Sequence, residues 1–209
     1  MRALILVDMQ NDFMPDGALP VPDGDSIVPL VNALQEKFTT IIATKDWHPA
    51  HHGSFASQHP GKNPGDVIDL NGLPQILWPD HCIQETSGSE FHPTLNTDKL
   101  NTIIYKGTDP EIDSYSGFYD NGHRKATGLD TWLKEHNVDT IYVCGLATDY
   151  CVKFTALDGC RAGYATYVIT DACRAVNLSP DDEHKALEEM KQAGCQLIQS
   201  DVLLAESTR

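Results

Sequence analysis

Six short runs of apolar, largely β-branched residues, most of them separated by helical patterns, constrain this chain more than any other feature. They are RALILVD (2–8), TTIIAT (39–44), NTIIYK (101–106), TIYVCG (140–145), TYVITD (166–171) and CQLIQS (195–200). A strand whose sheet is covered on both faces needs continuous apolarity instead of alternation, so these runs predict a parallel sheet between helical layers. Ile27, Leu30, Val31 and Leu34 mark one helical stripe, and Leu129, Trp132 and Leu133 a second. SPDDEHKALEEMKQAG predicts a third helix, with Ser179 as N-cap, Pro180 at the first position, acids in the first turn and Gly194 past the end. The repeated β-α-β order implies a doubly wound α/β fold. With 209 residues and no linker-like stretch, residues 1–209 are expected to form a single domain around one core.

The formal net charge of −15 excludes attraction to phosphate backbones or anionic membranes, which needs clustered Lys and Arg. Neither nucleic acid nor a membrane is therefore an expected partner. The opening MRALILVDMQ has too short an apolar run for a signal peptide or a membrane span, so a cytoplasmic location is expected. Six cysteines at irregular positions (82, 144, 151, 160, 173 and 195) read as reduced thiols, and without a C-x-x-C pair they do not suggest a zinc ribbon. The sequence sets no choice between monomer and homo-oligomer.

Two segments, 45–97 and 107–127, interrupt the pattern. Both are long, and their aromatic content (DWH, ILWPDHC, SYSGFYD) opposes disorder, so they are expected to build a pocket. In open α/β sheets the ligand crevice lies outside the carboxyl ends of the strands. Asp8, Lys45 with Asp46, Lys106, Cys151 and Asp171 with Cys173 stand at or just beyond those ends. A core position is the commoner fate of a cysteine, but Cys151 follows Gly145 and falls in the first turn of a helix capped by Thr148 or Asp149, where the helix dipole favours thiolate. Cys173 competes without a helix start beside it. No histidine is near Cys151 in sequence, so its proton acceptor is either a remote histidine or Asp8, with Lys106 stabilising the anionic pair. Taken singly, Asp8 reads equally as a solvated strand-end acid and Lys106 as a surface lysine.

Five of nine histidines (48, 51, 52, 59 and 81) fall within residues 48–81. In DWHPAHH, Asp46 and His48 lie two apart and share one side of an extended segment, while WPDHC brings His81 from a later turn. Two imidazoles and a carboxylate with open positions suit Zn, Fe or Mn. The alternative is a polar loop whose histidines hydrogen-bond to backbone.

LVDMQNDF (6–13), DWHP (46–49), WPDHC (78–82), KG (106–107) and GLATDYCVKFTALD (145–158) together resemble the nicotinamidases of the isochorismatase-like hydrolases, in order and in spacing, over residue 4 to about 200. The resemblance implies a six-stranded parallel sheet flanked by helices. It implies hydrolysis of nicotinamide to nicotinate and ammonia in NAD salvage, with pyrazinamide also accepted. Residue by residue, it makes Cys151 the nucleophile, Asp8 the proton acceptor and Lys106 the third member of a triad. A cis peptide before Ala147 would let the N–H groups of Ala147 and Cys151 form an oxyanion hole, one such donor being worth about 3 kcal/mol in a serine protease. Asp46, His48 and His81 become ligands of one divalent metal, zinc first with iron or manganese as alternatives. His52 is the candidate fourth ligand and His51 is expected to face solvent. Phe13, Trp78 and Tyr115 would wall the aromatic ring. The rivals are an isochorismatase or carbamoyl-amide hydrolase of the same superfamily, and a non-enzymatic metal-binding or thiol redox-sensing protein.

Overall fold

All six apolar runs lie in one parallel sheet. The structure is a computed structural model and describes residues 1–206. In chain order it contains β1 (Arg2–Val7), α1 (Val28–Gln35), β2 (Ile41–Asp46), β3 (Val67–Leu70), β4 (Leu73–Ile76), β5 (Thr102–Lys106), α2 (Leu129–Glu135), β6 (Thr140–Leu146), α3 (Lys153–Arg161), β7 (Ala165–Arg174), α4 (Asp182–Gln192), β8 (Gln196–Ile198) and α5 (Asp201–Leu204). The main sheet runs β5-β2-β1-β6-β7-β8. Each neighbouring pair is parallel.

β1 sits at the centre of the sheet, and its residues Ala3 to Val7 have no exposed surface. Fully burying each Leu or Ile there contributes about 1.5–3 kcal/mol, which is why this strand is continuously apolar. The chain leaves β1 through α1 toward β2 and leaves β6 through α3 toward β7, in opposite directions along the sheet. Right-handed crossovers then place α1 and α3 on opposite faces. In keeping with this, α5 packs with α1, and α4 packs with α3.

The structure adds one element and revises two local expectations. The connection from β2 to β5 carries no α-helix but an antiparallel hairpin, β3 with β4, turning at Asn71 and Gly72 with φ of 51° and 89°. That two-residue Asn-Gly turn between apolar residues is itself a hairpin signal, so the element was readable from VIDLNGLPQI. Asp181, not Ser179, precedes the first turn of α4. The Asp182 carboxylate instead accepts the Ser179 N–H at 2.9 Å, keeping Ser179 and Pro180 in the preceding turn. β7 extends through Cys173, which is buried with its thiol donating to the Ile169 carbonyl, a core position. All six cysteines are free. Among the described residues no helix is long and apolar enough to cross a membrane.

Candidate active site

The reversal of strand order between β1 and β6 opens a crevice at their carboxyl ends, and the two chain segments leaving it carry Asp8 and Cys151. Asp8 directly follows β1 with φ of 50°, a left-handed conformation that aspartate tolerates better than most residues. Thr44 of β2 fixes its carboxylate, donating from its hydroxyl to Oδ1 at 2.7 Å and accepting the Asp8 N–H at 3.2 Å. Asp46 and Lys106 are partners in register at the ends of β2 and β5.

The Lys106 ammonium joins these groups. Its Nζ lies 2.8 Å from Asp8 Oδ2 and 2.5 Å from Asp46 Oδ1, and it donates to the Ser114 carbonyl at 3.0 Å. Cys151 Sγ is 3.4 Å away. Burial works against the Lys106 charge, but Asp46 and Asp8 outweigh it and hold the ammonium well above its ordinary pKa. Burial likewise raises the Asp8 carboxyl, against the pull of Lys106, making it a stronger base than an exposed aspartate. For Asp46 burial is overcome by Lys106 and His48, which hold it well below its ordinary value.

Cys151 lies in a π-helical turn, Thr148–Val152, that leads into α3. The turn closes through the Val152 N–H on the Ala147 carbonyl at 3.1 Å, a five-residue step of the kind often found at functional sites. A cis peptide joins Leu146 to Ala147. The turn has no side-chain cap: Thr148 makes no such bond, and the Asp149 carboxylate instead accepts the Val176 and Asn177 N–H groups at 2.9 and 2.8 Å. The expected lowering of the thiol pKa by the helix start is also reversed. Burial, with Asp8 and Asp46, pushes the Cys151 thiol well above its ordinary value despite Lys106. Asp8, Asp46 and Cys151 nevertheless bring a side-chain heteroatom each within 4.8 Å of one another, so a neutral thiol has a carboxylate acceptor at hand.

Behind this group, Asp46 Oδ2 is 3.5 Å from His48 Nε2 and 3.7 Å from His81 Nε2. His48 turns Nδ1 to the Gly107 carbonyl at 2.8 Å and His81 turns Nδ1 to the Pro79 carbonyl at 2.7 Å. Each ring thus donates from Nδ1 and turns Nε2 inward, which is how metal-binding histidines are oriented. Gly107, at φ of 65°, is required here because a Cβ would enter the His48 ring. Buried His48 Nε2 has no hydrogen-bond partner, so the donor set fits a divalent cation between Asp46, His48 and His81. His52 is fully buried at 4.3 Å between ring centroids from His48, while His51 is exposed. Burial lowers the His52 pKa to about 4, keeping the ring neutral. Its Nδ1 contacts Ser54 Oγ at 2.8 Å.

Phe13, Trp78 and Tyr115 line one recess together with Cys151, Ala147, Asp46 and His81. Tyr115 is held by Trp78 Nε1 and Gln75 Nε2, which donate to its hydroxyl at 3.0 and 3.2 Å.

The sequence profile of the isochorismatase domain matches residues 2–202. The chain belongs to the isochorismatase family. Within it, the chain is 52% identical over 200 residues to the nicotinamidase of Escherichia coli (strain K12), covering 94% of this chain and 93% of that one. The solved nicotinamidase and pyrazinamidase of Acinetobacter baumannii superposes with a TM-score of 0.94 at 48% identity, over 97% of each chain. The pyrazinamidase of Pyrococcus horikoshii, solved in complex with zinc, superposes with a TM-score of 0.78 at 43% identity, over 95% of this chain and 98% of that one.

Against this family background, four polar residues stand out that strand-end reasoning missed. Gln10 clamps the Asp46 backbone, accepting its N–H at 2.9 Å and donating to its carbonyl at 2.8 Å. Thr44 and Ser114 fix Asp8 and Lys106. Asp113 lines the recess beside His48. Gln10 lies inside the quoted LVDMQNDF, and the other three carry no signal in sequence: Thr44 and Asp113 act on partners remote in the chain, and Ser114 acts through its backbone carbonyl, which any residue offers.

Proposed function

We infer that this protein is a nicotinamidase, hydrolysing nicotinamide to nicotinate and ammonia, with pyrazinamide also accepted, in salvage of the pyridine ring for NAD. The carrying observation is the single ammonium of Lys106 bonded to both Asp8 and Asp46 and touching Cys151 at the foot of an aromatic recess. In this reading Cys151 is the nucleophile, Asp8 the proton acceptor, and Lys106 the cation that steadies the charge passing between them. Asp8 takes the thiol proton as sulfur attacks the carboxamide carbon. The resulting oxyanion is held by the backbone N–H groups of Ala147 and Cys151, a preorganised pair worth several kcal/mol. Asp8 then returns its proton to the departing ammonia, and the same carboxylate activates the water that cleaves the thioester. Phe13, Trp78 and Tyr115 flank the ring, leaving the carboxamide facing sulfur.

Asp46, His48 and His81 would hold one divalent metal, with zinc the first candidate and iron or manganese the alternatives. Bound there, the metal supplies a Lewis-acidic anchor that orients the substrate ring. His52 joins the ligand set if its Nδ1 proton goes to Ser54 Oγ; if Nδ1 instead accepts the Ser54 N–H, at 3.1 Å, the proton sits on Nε2 and ligation is blocked. Residues 1–209 act as one catalytic domain.

The test is ammonia release from nicotinamide by purified, metal-loaded protein, before and after chelation. Cys151→Ala is expected to abolish turnover while nicotinate binding stays measurable. Ammonia release by that variant would refute the covalent mechanism.

A further inference from the structure

We propose that Cys160 and Cys195 form a site of reversible oxidation, closing to a disulfide that ties α3 to the end of α4 while Cys151 stays a free thiol. Neither the metal reading nor the nicotinamidase reading bears on it. The two Sγ atoms lie 3.0 Å apart, although the residues are 35 positions apart in the chain. Even carbon atoms, which are smaller than sulfur, rest against each other at about 3.5–4.0 Å, so these thiols are pressed together and not merely adjacent. A disulfide needs about 2.05 Å, which leaves the sulfurs about 1 Å to travel.

Rigid elements hold both sulfurs. Cys160 stands in the last turn of α3, and its carbonyl accepts the Gly163 N–H at 3.1 Å in the turn that ends the helix. Cys195 directly precedes β8, and its N–H donates to the Met190 carbonyl of α4 at 2.9 Å. α3 and α4 pack on each other, so the contact is set by backbone and not by a passing rotamer. Cys82, Cys144, Cys151, Cys173 and Cys195 are buried, and Cys160 is the one of the six with partial exposure, so an oxidant reaches it first. With hydrogen peroxide as that oxidant, the Cys160 sulfur attacks one peroxide oxygen and breaks the O–O bond. It becomes a sulfenic acid, and the thiol proton leaves with the second oxygen as water. The Cys195 sulfur then displaces the sulfenic oxygen, which takes the Cys195 proton and departs as a second water, each sulfur having given up one electron. The Ala156 carbonyl lies 3.6 Å from Cys195 Sγ and can hold that thiol's proton beforehand, leaving a sulfur lone pair for Cys160. Small reducing thiols reverse the bond by exchange.

The experiment treats metal-free wild-type protein with a small excess of hydrogen peroxide, alkylates the remaining thiols with N-ethylmaleimide in denaturant, and maps the peptides by mass spectrometry. The expected product has lost two hydrogens, joins the peptides carrying Cys160 and Cys195, and carries an alkylated Cys151. The bond closes a long loop in the unfolded chain, so Tm of the oxidised protein is expected to rise by about 5–10 °C and to fall back on addition of dithiothreitol. Both states are wild-type protein, so the comparison needs no variant to fold. In Cys195→Ser the sulfenic acid has no partner, so dimedone is expected to label Cys160 and peroxide to leave Tm unchanged. No linked peptide, linkage of another pair, oxidation of Cys151 ahead of the pair, or a linked product with unchanged Tm overturns the proposal.

Discussion

Lys106→Met is the sharpest perturbation of the charge cluster, because it removes one ammonium while leaving its partners in place. Lys106 has no exposed side-chain surface, and its loss strips the counter-charge from Asp8 Oδ2 and Asp46 Oδ1 and a donor from the Ser114 carbonyl. Removing one member of a buried ion pair costs about 3–5 kcal/mol. Asp8, whose pKa burial already raises, can escape part of that cost by taking up a proton, which sets the expectation near the lower end, about 3 kcal/mol. For a chain of this size that corresponds to a fall in Tm of about 6–12 °C. Activity suffers twice: a protonated Asp8 no longer accepts the thiol proton, and the thiolate loses its neighbouring cation. Loss of the general base alone lowers kcat by about 10²–10⁴.

The assay pairs urea unfolding of the metal-free protein with ammonia release from nicotinamide. The double variant Asp8→Asn/Lys106→Met separates electrostatics from packing. With the Asp8 charge removed, it is expected to be more stable than Lys106→Met alone yet equally inactive, a coupling that independent sites do not show. If Lys106→Met stays within about 1 kcal/mol of the parent and the double variant is simply additive, Lys106 and Asp8 do not form an electrostatic unit and the reasoning fails.

Three further substitutions probe the supports of the cluster. Thr44→Val removes the hydroxyl that holds Asp8 Oδ1 and is expected to lower kcat/KM about tenfold, the equivalent of one buried hydrogen bond, with the fold retained; unchanged kinetics would show that Asp8 needs no such support. Gly107→Ala drives a Cβ into the His48 ring, so elemental analysis should find bound metal reduced at least tenfold at limiting supply, and full occupancy would mean the ring has room to move. Tyr115→Phe leaves the Trp78 donor without its acceptor, while Gln75 keeps the Ile76 carbonyl, and is expected to raise KM several-fold with a smaller change in kcat; the opposite split would move Tyr115 from ring binding to chemistry.

The sheet was legible because burial on both faces leaves its strands no alternation to hide in: the runs around Leu4, Ile42 and Val143 are apolar throughout and pair in parallel. The edge of the sheet was legible for a different reason. Strand ends are where an open α/β fold places its ligand, so Asp8, Asp46, Lys106 and Cys151 could be gathered before any distance was known. The electrostatics at that edge were not. A helix start beside Cys151 suggested a lowered thiol pKa, and only the three-dimensional packing shows that burial and two carboxylates outweigh it. Lys106 was expected beside Asp8 but bridges Asp46 as well, which ties the proton-transfer group to the proposed metal ligands through one ammonium. Sequence spacing carries no information on such sharing, because the three residues stand at the ends of three strands and meet only through the β1-β2-β5 order. The coupling has a consequence for catalysis. If Asp46 holds a cation through Oδ2, which faces His48 and His81 while Oδ1 faces Lys106, the two charges would share one carboxylate and leave more of the ammonium's field to Asp8 and Cys151.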